Sequence, residues 1–328
     1  MTLYSLNKID RWDKIIDMAF KNGAQAAENV RDVKTRDKLT KSKHIEATRV
    51  QAVGRALSRT LDNIVHSFPN FDSLDPFYQD LMNCTLDIGN LRKSLGGLTW
   101  AKKQIQNLTS NAVEDIRKQA RLEYINTKRT AFLGRVSSVI KQVKVNLENL
   151  EQARLIMREY PSLKTERPTI VIAGAPNVGK STLLSAITGA APKTAPYPFT
   201  TQQLNLGYDK EGNQYVDTPG LLDRPLEKRN PIERQAILAL KHLAKLIVFV
   251  IDPTEHCGYP IKDQEHLLKE IRNMFKLPII IVANKSDVGK EYKNALAVSA
   301  TKGEGITELK KAINDVLSQT NTTKRSQE

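Results

Sequence analysis

The fold class predicted is an α/β domain with a doubly wound, mostly parallel sheet, preceded by an all-α antiparallel helical bundle. Three observations carry this. Residues 1–165 hold long apolar stripes at three-four spacing with few breakers, residues 161–168 form a polar stretch bracketed by prolines, and from 169 onward β-branched runs alternate with helical patterns. A chain of 328 residues is long enough for two domains that each bury a core. The predicted layout is a basic helical domain over 1–165, an α/β domain over 166–319 and a polar, disordered tail over 320–328.

In the first half, Ile9, Trp12, Ile15, Ile16, Ala19 and Phe20 recur at helical spacing, with Asn7 as cap and Asn22-Gly23 as stop. From Ala24 to Phe68 the only glycine is Gly54, and Val50, Val53, Leu57, Leu61, Ile64 and Val65 form one stripe, so a long helix or a broken pair is expected. A dense basic series from Arg31 to Arg59 includes Lys34, Arg36, Arg49 and Arg55. Pro76 opens a helix through Leu91, and Gly96-Gly97 is expected to break the pattern. Helices over 98–124 and 127–160 follow, the second burying Phe132, Val136, Val139, Ile140, Val143 and Leu147. In the second half, strands are predicted at 169–173, 203–208, 213–217, 246–251, 279–283 and 295–298, and helices near 181–189, 231–244, 262–275 and 305–318.

Charge narrows the class of partner. Residues 1–165 carry 28 Lys+Arg against 18 Asp+Glu, and 166–328 carry 22 against 18, so most of the net +14 sits on the helical half. Such an excess suits a polyanion, either nucleic acid or an anionic membrane surface, or else a solvated helix face. No apolar run reaches membrane-spanning length and charges mix through the first twenty residues, which predicts a cytoplasmic protein without stable membrane association. Cys84 and Cys257 lack zinc-ligand neighbours and are read as isolated thiols.

The chemistry centres on Gly174-Ala175-Pro176-Asn177-Val178-Gly179-Lys180-Ser181, which fits G-x-x-x-x-G-K-[ST] between a β-branched run and a helical pattern. In that context the backbone N–H groups of Asn177, Val178, Gly179 and Thr182 cradle phosphates, Lys180 reaches the β/γ-phosphates and Ser181 ligates Mg²⁺. Asp217-Thr218-Pro219-Gly220 ends a strand, where Asp217 can hold Mg²⁺ through water and the Gly220 N–H can meet a γ-phosphate. Asn284-Lys285-Ser286-Asp287 ends another, and the Asp287 carboxylate matches the two donors on the guanine edge, which adenine lacks. Ser299-Ala300-Thr301 then offers a backbone N–H to guanine O6. The four motifs in this order resemble the translation-factor class of GTPases.

Within Pro196-Tyr197-Pro198-Phe199-Thr200-Thr201, a threonine is expected to close over Mg²⁺ and the γ-phosphate; Thr201 is favoured, with Thr200 as the alternative. Lys180, Thr201 and Gly220 are the candidate catalytic residues. Leu221 stands where Ras-type enzymes place a water-orienting glutamine, so low intrinsic activity is expected. Asn177 is either a turn-forming residue or, as in potassium-stimulated GTPases that it resembles, a ligand for K⁺.

Tyr197-Pro198-Phe199-Thr200-Thr201 resembles the Obg-like GTPases. The stretch 221–237, which begins Leu221-Leu222-Asp223-Arg224-Pro225, and Glu255-His256-Cys257-Gly258-Tyr259 resemble the Nog-type nucleolar GTP-binding branch of that family. The resemblance covers the whole α/β domain and, more loosely, the helical one. It implies a GTP/GDP-binding factor in assembly of the large ribosomal subunit, monomeric when free, whose partners are that subunit or its precursor, rRNA and ribosomal proteins. Eukaryotic members continue well beyond this domain, and the chain is expected to match a short archaeal-type member. Two other classes remain: an RNA-modification GTPase acting on tRNA, and a signalling GTPase whose helical half binds an effector.

Overall fold

The computed structural model describes residues 6–32, 37–197, 203–219, 222–223, 237, 239–289 and 291–325, with side chains up to 319. The chain forms two compact units, one of residues 1–70 and 86–158, the other of residues 71–85 and 159–328. The second unit thus contains a short segment from the region expected to belong to the helical bundle.

The first unit holds helices α1 (Trp12–Asn29), α2 (Lys38–Ser67), α4 (Ile88–Lys118), α5 (Leu122–Gln142) and α6 (Lys144–Arg158), while α3 (Pro76–Thr85) belongs to the second. Asp37 caps α2 by accepting from the Thr40 N–H at 2.7 Å, and Asp87 caps α4 by accepting from the Asn90 N–H at 2.9 Å. The α2 stripe of Val50, Val53, Leu57 and Leu61 is buried, as are Leu98, Ala101, Ile105 and Ile116 of α4. All six apolar positions predicted between Phe132 and Leu147 are buried too.

Two glycine readings change, and a third glycine gains a role. Asn22-Gly23 does not stop α1, because Gly23 is a helix-contact residue: a Cβ there would stand 2.4 Å from the Val53 side chain. Gly54 similarly faces Thr109 of α4, where a Cβ would meet Oγ1 at 2.1 Å. Gly96-Gly97 lies inside α4, whose 31 residues run through it. The cap of α1 is Arg11, not Asn7, and the 127–160 helix is divided at Val143.

The second unit is a seven-stranded sheet in the order β2-β3-β4-β1-β5-β6-β7. Its strands are β1 (Thr169–Ala173), β2 (Lys193–Ala195), β3 (Leu204–Tyr208), β4 (Gln214–Asp217), β5 (Ala244–Ile251), β6 (Ile279–Ala283) and β7 (Leu296–Ala297). Helices α7 (Lys180–Thr188), α8 (Ile261–Phe275) and α9 (Ile306–Arg325) also belong to it. The β2–β3 and β3–β4 pairs are antiparallel and the others parallel. On one face Ile170, Ile172, Val248 and Val250 form a core with Leu183, Leu184 and Ile187 of α7 and Leu309 and Ile313 of α9. Strand alternation turns Val171, Ile247 and Phe249 to the other face. β1 lies between β4 and β5, so the loop leaving its C-terminal end opens at the point where the chain order switches direction, the usual ligand crevice of such sheets.

α9 continues to Arg325, past the predicted helix end at 318. Most of the helix expected at 231–244 lies outside the described residues, and its end differs because β5 begins at Ala244. Lys34, Arg36 and residues 326–328 also lie outside them. No helix among the described residues is long and apolar enough to cross a membrane.

Candidate functional site

The loop between β1 and α7 is shaped by backbone conformations that few residues accept. Gly174 has φ +143° and its carbon approaches Val250 so closely that a Cβ would lie 2.4 Å from the carbonyl oxygen. Asn177 and Gly179 are left-handed, with φ 60° and 97°. The turn therefore accounts for Asn177 as a residue type, while its exposed side-chain amide forms no hydrogen bond among the described residues. The loop delivers the first N–H groups of α7, the positive end of its dipole, to a common point.

Lys180 is buried and donates to the Gly174 and Ala175 carbonyls at 2.9 and 2.8 Å. Burial lowers its pKa, and the nearby Asp217 and Asp223 oppose that shift. The next residue, Ser181, donates to Asp217 Oδ2 at 2.6 Å, and Asn205 Nδ2 donates to the same oxygen at 2.9 Å. Asp217 is fully buried, and its other carboxylate oxygen has no partner among the described residues. A serine hydroxyl beside a carboxylate with an orphaned oxygen is a hard-oxygen donor set that fits Mg²⁺. Val178 is buried, whereas Thr182 is exposed in the first turn of α7.

Asn284 ties the site together. Its side chain donates to the Val178 carbonyl at 2.8 Å and accepts from the Ala300 N–H at 3.1 Å, joining the phosphate loop to the Ser299-Ala300-Thr301 turn. Gly179 is needed beneath it, since a Cβ would come within 2.3 Å of the Asn284 amide nitrogen. The Ala300 N–H is thus engaged by Asn284, and a purine oxygen there would share that donor. A hydrogen bond from Ser299 holds the Asp287 carboxyl below its ordinary range, and the Lys302 ammonium stands 3.7 Å from it, so Asp287 is an ionised acceptor. Lys285 is left-handed at φ 64° and its ammonium pairs with Asp252 at 2.6 Å.

Asp252 and Asn205 were not read from the sequence. Asp252 takes Lys285, the Thr254 N–H at 3.0 Å and the Cys257 N–H at 2.9 Å, thereby folding the loop after β5. Gln264 of α8 locks that loop by donating to the Asp252 and Tyr259 carbonyls. Asn205 meets Asp217 because the two are register partners across the antiparallel β3–β4 pair. Its only sequence trace is a polar residue between Leu204 and Leu206. Thr201 with its alternative Thr200, Gly220 and Leu221 lie outside the described residues.

A phosphate loop at the sheet's switch point, an acid joined to the loop serine, and a guanine-matching acid on the Asn284-tethered strap define a P-loop GTPase. The helical part, residues 5–163, matches the family model described as the NOG1 N-terminal helical domain, and residues 231–287 match that of nucleolar GTP-binding protein 1. The chain belongs to the nucleolar GTP-binding protein 1 family. It is 40% identical over 281 residues to an uncharacterised protein of Methanocaldococcus jannaschii, covering 86% of this chain and 79% of that one. It is 38% identical over 232 residues to nucleolar GTP-binding protein 1 of Drosophila melanogaster and 32% over 255 to that of Saccharomyces cerevisiae, covering 70% and 76% of this chain. The chain spans only 36% and 39% of those two relatives. A solved structure described as nucleolar GTP-binding protein 1 of Plasmodium falciparum is 32% identical, covers 50% of this chain and 93% of its own, and has a TM-score of 0.45.

Proposed function

We propose that the chain is a slow GTPase that acts as a switch in assembly of the large ribosomal subunit, held on rRNA and ribosomal proteins of the subunit or its precursor. The observation that supports this is the union, in one family-matched chain, of a guanine-matching site with a helical domain of net charge +10. The family name places relatives in the nucleolus, the compartment in which ribosomal RNA is made and assembled. Phosphate contacts from the basic domain would give salt-dependent, largely sequence-independent affinity. The protein is read as cytoplasmic and as a monomer when free.

In the reaction, the N–H groups of the phosphate loop and the Lys180 ammonium hold the phosphates while charge moves toward the leaving oxygen. Ser181 and Asp217, with Thr201, would hold Mg²⁺, which when bound would supply charge neutralisation to the phosphates. Leu221 has no group that can orient water, so turnover is slow until something polar is added. Asn177, with its exposed amide, is the residue to recruit K⁺ for that purpose, and the assembling subunit is the other source. GTP turnover in K⁺ and in Na⁺, each with and without large subunits, separates the two activators. The N177A exchange should abolish any potassium stimulation, and stimulation that survives it removes the cation role. Equal cosedimentation of the GDP and GTP-analogue forms with subunit precursors would defeat the switch.

A further inference from the structure

Within the helical unit, α1 and the C-terminal half of α2 enclose an open groove of about 450 Å³, in the size range of small-ligand sites. Its two cations, Arg55 and Arg59, lie four residues apart on α2, about 6 Å along one helix face. Some other cations of this unit are paired, Arg49 and Arg129 with Glu46 at 3.1 and 3.4 Å and Lys102 with Asp62 at 2.5 Å. By contrast, Arg59 is exposed with no hydrogen bond or ion pair among the described residues, and Arg55 spends only its Nε, on the Gln51 carbonyl of its own helix. The one acid lining the groove, Asp10, is paired with Lys14 at 2.6 Å.

The floor is apolar. Ile15 and Ala19 are buried, and Met18 stands 50% exposed beside them, an adaptable thioether surface facing solvent. Asn22 and Asn63 add amides that can both donate and accept.

We propose that this groove binds single-stranded RNA, with a phosphodiester forked by Arg55 and Arg59, a splayed base lying against Met18 and Ile15, and the asparagine amides reading the base edge. Guanidinium forks match phosphate oxygens, and unstacked bases settle on flat apolar or guanidinium surfaces. A run of acidic side chains would use the arginines but would bring no apolar group to the floor. A nucleotide uses the arginines, the floor and the amides. The proposal rests on the reading of the helical domain as RNA-binding, and gives it a location and a strand preference.

The test is fluorescence anisotropy of the full chain with a labelled oligouridylate, an RNA duplex of equal length, and an abasic ribose-phosphate oligomer. The expected result is that the single strand binds more tightly than the duplex and that R55A/R59A weakens it by at least about tenfold with helicity unchanged by circular dichroism. M18A should weaken the oligouridylate but leave the abasic oligomer unaffected, a split that a general loss of charge would not produce. If wild type binds RNA and R55A/R59A binds it equally well, the groove is wrong and the RNA reading stands. If wild type binds no RNA at low salt, both fall. Displacement of the oligouridylate by oligoglutamate at equal charge concentration would assign the groove to an acidic protein instead and overturn the proposal.

Discussion

Asp217 uses one carboxylate oxygen for two protein donors and leaves the other free, and that division is what Asn205 maintains. With Asn205 present, the carboxylate stays oriented even when Ser181 turns its hydroxyl to a cation; without it, the group must be reoriented by the ion itself. Losing such an orienting partner typically costs 10–100-fold in metal affinity. The N205A exchange should therefore raise, by about tenfold, the Mg²⁺ concentration needed to slow release of a fluorescent GDP analogue, leaving release in excess chelator unchanged. A shift in chelator as well would mean that Asn205 acts on nucleotide directly. Asp252 makes a second residue-level case. Burial pushes its pKa up, but hydrogen bonds from Lys285 and Thr254 prevail and hold it below the ordinary carboxylate value. A carboxylate lowered in this way stabilises the fold above its unfolded pKa of about 3.9 and loses that contribution as pH falls through the folded value. The D252N exchange should cost about 1.5–3 kcal/mol at pH 7, since it leaves Lys285 and the loop N–H groups without their ionised acceptor. In guanidinium titrations the gap from wild type should hold steady from pH 8 to pH 5 and narrow only below about pH 4.

At the scale of elements, the helical glycines separate two physical effects. Gly54 lies under Thr109, where a Cβ would approach three side-chain atoms at 2.1–2.9 Å, so G54A should destabilise the helical unit by about 1–3 kcal/mol despite alanine's better helix propensity. Gly96 is exposed within α4 with nothing within 4 Å of a Cβ, and G96A should stabilise by about 0.5–1 kcal/mol. Thermal melts of the two variants should move in opposite directions, and a parallel shift would refute the contact argument for Gly54. The same contrast explains which elements were legible. Strands β1 and β6 appear at their predicted bounds because continuous β-branched runs have only one buried use in a parallel sheet. The phosphate loop and the Asn284 strap were equally legible, since local backbone demands fix their residue types. Gly23 and Gly96-Gly97 were misleading because composition cannot distinguish a glycine that ends a helix from one that admits a neighbour or merely tolerates solvent. Asn205 and Asp252 were hidden for a different reason: their roles come from strand register and loop closure, which are properties of distant pairs.

At the scale of the whole molecule, the consequential finding is where α3 belongs. Although it precedes α4 in the chain, it is part of the nucleotide-binding unit. Phe77 is fully buried, lies edge-on to Tyr78 at 4.9 Å and stacks on Tyr197 at 6.5 Å, and Tyr197 belongs to the segment 196–201 in which a threonine is expected to close over Mg²⁺. The Tyr78 hydroxyl donates to the Pro161 carbonyl at 2.8 Å and accepts from the Leu163 N–H at 3.1 Å, with burial pushing its pKa up to about 12. Thr85 and Tyr160 share a hydroxyl hydrogen bond, and Asp80 meets His242 at 2.8 Å. The stretch 161–168 thus acts as a seat for α3 as well as a connection, and a division of the chain at 165 would remove a helix from the nucleotide-binding core. Truncating a buried phenylalanine costs about 3–5 kcal/mol. In calorimetry of the full chain, F77A should lower the melting transition that GDP raises and leave the other transition in place, because ligand binding to one unit marks which transition is its own. A fragment of residues 166–328 should show the same loss more severely, with Tyr197 uncovered, whereas restoring 71–85 as an added peptide should recover part of the GDP-dependent shift. If the fragment melted and bound GDP as the full chain does, α3 would be a passenger on this unit and not a component of it.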